Sequence, residues 1–131
     1  MEPFEASLPP DLAQLRELRQ DLAAWLERVG VTNADRDAIV LATHEAAANG
    51  IEHAASRVVI RGVRDEEKLL VVVSNGGRWR GPPWDERGSG SGLAIIRGLM
   101  SKLDIHVGEG RTTLRMRIDL EREDAPRSGR G

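Results

Sequence analysis

Glu45-Ala46-Ala47-Ala48-Asn49-Gly50-Ile51-Glu52-His53 reads as the interior of a helix that carries polar groups every fourth residue. Side chains at i and i+4 lie one above the other, so Glu45, Asn49 and His53 form one stripe. A helix facing water would set such a stripe among Lys and Glu. Here it sits among alanines, which keep the helix thin and let other groups approach. The stripe therefore reads as a polar wall facing a cavity, and the rest of the chain as what closes that cavity.

Working outward, this helix begins at a cap supplied by Thr32 or Asn33, with Asp35 and Asp37 in the first turn where the helix dipole favours them, and runs to about Ala54. Its other face carries Ile39, Ala46 or Ala47, and Ile51, enough to dock on a sheet. Before it, Leu12, Leu15, Leu18, Leu22, Trp25 and Leu26 keep helical spacing from about Asp11 to Val29, with Gly30 as the stop. Phe4 to Leu8 is a candidate edge strand ended by Pro9-Pro10. After the stripe, Arg57 to Val63 alternates, Asp65 to Lys68 is a polar turn, and Leu69 to Val73 is a continuous apolar run that predicts a central buried strand. Ser74 to Gly92 has no period, and a loop of that length in a compact domain is usually functional or disordered. A helix is predicted from about Leu93 to Leu103, then strands at Ile105 to Val107 and Thr112 to Leu120, then a charged, disordered tail from Glu121 to Gly131. The order (β)ααββ–loop–αββ predicts a single α+β domain over residues 1–120: a two-layer α/β sandwich with one mixed or antiparallel sheet and helices on one face.

Composition narrows the function. Nineteen Lys and Arg against 21 Asp and Glu give no electrostatic case for binding nucleic acid or a membrane surface. Cysteine is absent, which excludes disulfides and thiolate metal sites. The N-terminus lacks a signal-peptide pattern and no apolar run approaches membrane-spanning length, so a cytoplasmic protein is expected.

Three stations carry chemistry. Glu45 and Asn49 place a carboxylate and an amide oxygen one turn apart. That pair suits Mg²⁺, a hard cation that takes few protein ligands and otherwise holds water and phosphates; the carboxylate can instead act as a general base. His53 is more often a packed N–H donor than a ligand, zinc has no ligand spacing here, and His44 points about 100° from the stripe and reads as structural. Asn75-Gly76-Gly77 follows the buried strand: alone a tight turn, beside the other stations a polar side chain able to read a base edge. Gly88-Ser89-Gly90-Ser91-Gly92 opens into a helix, where free N–H groups suit phosphate; its bland reading is a flexible linker. It is neither a Rossmann fingerprint nor a P-loop.

In this order the stations resemble the GHKL (Bergerat-fold) ATPases. Leu41 to Ala54 looks like the N box of the RsbW-like anti-sigma-factor serine/threonine kinases. Asn75 to Arg80 sits where that group has its Asp-x-Gly box, Gly88 to Met100 looks like its second glycine box and following helix, and Gly110 to Leu114 is similar to its terminal Gly-Thr-Thr segment. The resemblance spans about Phe4 to Leu120.

It implies the Bergerat (HATPase) fold, ATP and Mg²⁺ as cofactors, and roles for single residues. Glu45 would be the catalytic base or water-orienting carboxylate, and Asn49 the Mg²⁺ ligand. His53 would line the nucleotide site. Asn75 would face the adenine amino group, and Gly77 would let the base lie against the backbone. Gly88, Gly90 and Gly92, with the N–H of Leu93, would form the lid hinge and phosphate cradle. Thr112 would support the adenine contact. The partners implied are a sigma factor and a STAS-type anti-anti-sigma protein, and a homodimer using the exposed faces of the first helix or last strand. Two departures stand out. Asn75 replaces the family's Asp; an amide oxygen still accepts the adenine hydrogen bond, at a loss of about 1 kcal/mol or more, and turned around the amide can donate to a guanine carbonyl. Ser89 stands where many relatives carry a basic residue. The competing expectation is a partner-binding module of the same fold with little or no kinase activity. A detached histidine-kinase domain is disfavoured, because no helical hairpin with a phospho-acceptor His precedes the stripe.

Overall fold

The computed structural model describes residues 2–54, 56–76, 90–108 and 110–120, apart from the side chains at 53, 54, 90 and 91. Of the loop expected over Ser74 to Gly92, residues 77–89 lie outside the described residues, as does the tail expected over 121–131; Ser74 and Asn75 instead close a strand, and Gly90 to Gly92 open a helix that was expected to start at Leu93. Chain order is β1 (Phe4–Leu8), one 3-10 turn (Leu12–Gln14), α1 (Leu15–Arg28), α2 (Asn33–Ala54), β2 (Val58–Arg64), β3 (Lys68–Asn75), α3 (Gly90–Leu99), β4 (Lys102–Gly108) and β5 (Arg111–Asp119).

The strands form one sheet in the order β1-β2-β3-β5-β4. Every pairing is antiparallel, so the sheet is antiparallel and not mixed. The reason lies in the connections. Short turns join β2 to β3 and β4 to β5. The crossover through α3 returns β4 in the same direction as β3, but β5 inserts between them, so the two never pair. With β5 paired on both edges, only its outer face is left for a partner.

Alternation chooses the covered face. Val58, Ile60, Leu69, Val71, Val73, Leu114, Met116 and Ile118 are buried under the helices. α2 lies across the middle of this layer, touching β2, β3 and β5, with α1 on one flank over β1 and α3 on the other over β4. The run Leu69 to Val73 is not buried throughout, as its composition suggested. Leu70 and Val72 are only half-buried, because they point to the face opposite the three described helices.

Helix ends follow local chemistry. Leu12 is 48% exposed, not part of the core face, because the chain winds there as a 3-10 turn and the α-helical phase starts only at Leu15. Asp11 caps that turn by accepting the Ala13 N–H at 3.0 Å. α1 stops in a Schellman motif: Gly30 has φ +79°, its N–H bonds the Glu27 carbonyl, and the Val31 N–H bonds the Leu26 carbonyl. The capping choice for α2 falls on Thr32, whose hydroxyl accepts the Asp35 N–H at 3.4 Å. α3 ends at Leu99, four residues before the helix predicted to reach Leu103. Lys102 to Gly108 instead pairs with β5 along its whole length, and that ladder overrides the helical spacing of Met100 and Leu103.

α1 is held to the sheet by Trp25. Its ring packs on Phe4 with centroids 5.7 Å apart, and its indole N–H donates to the Glu2 carbonyl at 2.8 Å. A Cβ built on Gly62 would come within 3.1 Å of the same ring. Gly62→Val is therefore expected to destabilise the fold by about 1–3 kcal/mol through overpacking, read as a lower urea midpoint with an unchanged m-value. At the β2–β3 turn, Asp65 Oδ1 accepts N–H groups from Glu67 at 2.8 Å and Lys68 at 2.7 Å. These bonds hold the Asp65 carboxyl below its ordinary 3.8. Its contribution is present above that value and is lost as pH falls through the lower folded-state pKa. The stability gap between wild type and Asp65→Asn should accordingly narrow under acid, in urea titrations at stepped pH.

Candidate functional site

Glu45 and Asn49 of the polar stripe are withdrawn from solvent, because α2 is packed against the sheet and both other helices. Asn49 is 7% exposed and Glu45 is half-buried. Their neighbour is the first turn of α3. A Cβ built on Gly92 would come within 3.2 Å of both Glu45 Oε1 and Asn49 Nδ2, and within 3.4 Å of Asn49 Oδ1. The absent side chain at 92 is what lets an α3 backbone carrying free N–H groups lie against a carboxylate and an amide.

The next residue on α2 makes the second approach. A Cβ on Gly50 would meet Asn75 Oδ1 at 3.1 Å and Val58 Cγ2 at 3.4 Å. Asn75, at the end of β3, is 2% exposed, and its Nδ2 is buried without a hydrogen-bond partner among the described residues. Across the ladder it is paired with Thr112 of β5, which is 0% exposed. Unpaired buried polar groups are uncommon and costly; among the described side chains Arg36 Nε, Thr43 Oγ1 and Arg117 Nε share this state.

The structure thus brings Glu45, Asn49 and Gly92 together, and Asn75 with Thr112, and joins the two sets through consecutive residues of α2. Gly90 opens α3, and Leu93 follows Gly92 with its side chain in the core, leaving its backbone as the group available to a ligand. The side chain of His53, together with Gly77, Gly88 and Ser89, lies outside the described residues. His44 is structural: its Nδ1 lies 3.0 Å from Arg19 Nη1 and ties α1 to α2.

Gly50 was given no role from the sequence. A signal was there, because a glycine inside an alanine-rich helix costs about 1 kcal/mol relative to alanine and asks for a packing reason. Arg19 had no such signal, since its pairing with His44 spans two helices.

Residues 8–118 match the family described as the histidine kinase-like ATPase domain. The chain belongs to this family of GHKL-type ATPases. Membership covers most of the described fold and carries ATP binding with it. Among solved structures, the chain is similar to the RsbU and RsbW domains of Rv1364c from Mycobacterium tuberculosis at 24% identity and a TM-score of 0.76, covering 93% of this chain and 33% of that one. It is also similar to the histidine kinase domain of a blue-light activated histidine kinase from Erythrobacter litoralis, at 22% identity and a TM-score of 0.54, covering 86% of this chain and 61% of that one. Against the histidine kinase AdeS of Acinetobacter baumannii the identity is 12% and the TM-score 0.55, covering 93% of this chain and 70% of that one. These likenesses show the shared fold. No helix among the described residues is long and apolar enough to cross a membrane.

The residues present fit a nucleotide with its metal. The unpaired amide of Asn75 suits a base edge, the bare first turn of α3 suits phosphate, and the Asn49 and Glu45 oxygens suit a hard cation that keeps most of its other ligands as water and phosphate. Among the described residues no cluster of three His, Cys, Asp or Glu could hold a metal without such help. Gly92→Ala places a methyl group against Glu45 and Asn49, and a displacement of this kind is expected to weaken Mg²⁺-dependent ATP binding about ten- to a hundredfold with the far-UV spectrum unchanged. Isothermal titration with ATP and Mg²⁺ reads the effect.

Proposed function

We propose that this chain is an ATP- and Mg²⁺-dependent protein serine/threonine kinase of the anti-sigma type. It phosphorylates a Ser or Thr of a STAS-type anti-anti-sigma protein, and holds a sigma factor when that antagonist is phosphorylated. The observation that carries this reading is the convergence of the Glu45 carboxylate and the Asn49 amide on the bare backbone of Gly92. The sequence resemblance to RsbW-like kinases supports the class of partner, and the proposal includes a homodimer in the cytoplasm.

Bound ATP would supply the phosphoryl group, and bound Mg²⁺ would neutralise charge on it. The chain's own part is positioning. The Asn49 amide oxygen would hold the metal. N–H groups in the first turn of α3, including that of Leu93, donate to phosphate oxygens. Asn75 and Thr112 hold the base. Glu45 accepts the proton of the partner's hydroxyl or orients it for attack, and phosphoryl transfer asks for little covalent chemistry beyond such placement.

The neutral amide at Asn75 favours one alternative: a module of the same fold that sequesters its partner and transfers phosphate weakly or not at all. Labelled ATP with an anti-anti-sigma protein from the same genome separates the two. Transfer is expected from the wild type. Glu45→Ala should lower it by at least about a hundredfold while leaving sigma-factor binding unchanged. Sigma binding without transfer to any such partner selects the sequestration module, and undiminished transfer by Glu45→Ala removes Glu45 from the base role.

A further inference from the structure

Asn75 places two neutral hydrogen-bonding functions where the family resemblance implies a carboxylate. The side chain is 2% exposed, with Nδ2 buried and unpartnered among the described residues. The Oδ1 atom lies on the glycine edge of α2, where a Cβ at Gly50 would stand 3.1 Å away. Beside it in the ladder is the hydroxyl-bearing Thr112. A carboxamide is a donor and an acceptor side by side, whereas an ionised carboxylate only accepts.

We infer, on the basis of the ATP-binding reading above, that this site takes purine nucleoside triphosphates of either base, ATP and GTP alike, with Asn75 as the residue that relaxes the choice. The pairing edge of adenine shows an amino donor next to a ring-nitrogen acceptor. That of guanine shows a carbonyl acceptor next to a ring N–H donor. The amide matches each edge in one of two orientations, related by a half-turn about its terminal torsion, which is soft and nearly two-fold. No methyl group at Gly50 stands against that turn. A carboxylate in the same register would accept from the adenine amino group but set an oxygen against the guanine carbonyl, and would pair with guanine only if the base shifted to present its ring N–H and amino group. The buried donor on Asn75 is satisfied by either base.

Competition against labelled ATP in the presence of Mg²⁺ tests this on the full chain. GTP is expected to displace ATP with a Kd within about tenfold of that of unlabelled ATP. In Asn75→Asp, GTP should weaken by about ten- to a hundredfold relative to ATP, the discrimination that a well-formed pair of base contacts carries. Gly50→Ala, which crowds the amide, should also narrow the range of bases accepted. Displacement of ATP by ADP but not by a roughly hundredfold excess of GTP would overturn the inference while leaving ATP binding intact. Failure of every nucleotide to bind overturns the ATP-binding reading itself, and this inference with it. The wild-type competition decides the matter even if either variant fails to fold.

Discussion

The arrangement depends on how closely two backbones can approach one helix. Asn49 and Gly50 of α2 have the first turn of α3 on one side and the end of β3 on the other. At both approaches a methyl group would sit 3.1–3.2 Å from a polar side-chain atom. Because Gly92 is bare, α3 lies against Glu45 and Asn49, and because Gly50 is bare, Asn75 lies against α2 one residue further along. An interior glycine weakens a helix by about 1 kcal/mol relative to alanine. α2 offsets that through the burial of Ile39, Ala42, Ala46, Ala47 and Ile51, so its stability comes from packing and not from propensity.

Around that contact the rest of the molecule acts as a frame. Trp25 locks α1 over β1 and β2, and the Arg19–His44 bridge joins α1 to α2 one residue from Glu45. Arginine only donates, so His44 Nδ1 is the acceptor and its ring proton sits on Nε2. Arg64 also donates to the Val29 carbonyl and fastens the end of α1 to β2. Among the described residues no helix lies over the far face of the sheet. That face carries a cavity of about 360 Å³ lined by Asp65, Lys68, Lys102, Asp104, Arg115 and Arg117 among others, separated from the polar wall by the thickness of the sheet. The two sides thus have different chemistry: a crowded wall with one carboxylate and two amides on the helix side, and a surface of mixed charges on the other.

How much of this was legible in the sequence depends on the range of the interaction. The bounds of β1 and the inward set of β5 follow from alternation, and the stop of α1 at Gly30 follows from glycine's access to positive φ. These are local effects. The end of α3 was not legible, because Met100 and Leu103 continue the helical spacing and only pairing with Arg117 and Met116 on β5 pulls Leu103 into a strand. Leu12 misled for a related reason: its spacing suits a helix, but the two prolines and Asp11 start the chain as a 3-10 turn. The half-exposure of Leu70 and Val72 reflects layer count, which a run of apolar residues does not encode. At the site, the i and i+4 spacing located Glu45 and Asn49. The closeness of Gly50 to Asn75, and of Gly92 to Glu45, is a property of packing between elements distant in the chain.

That packing also gives the amide at position 75 a physical rationale. A group only 2% exposed must give up nearly all of its water. For an unpaired carboxylate the penalty is several kcal/mol, and an ionised group so placed tends to raise its pKa and take up a proton. For an unpaired amide it is about 1–3 kcal/mol. The empty fold therefore tolerates asparagine here more easily than aspartate. The same neutrality forgoes the stronger, charge-assisted hydrogen bond that a carboxylate offers an amino group. In the proposed role of Asn75, burial and recognition pull in opposite directions, and the amide serves the fold. The contact that role leaves for a base is that of an amide held against a bare stretch of helix, weaker and less exacting about which donor or acceptor it meets.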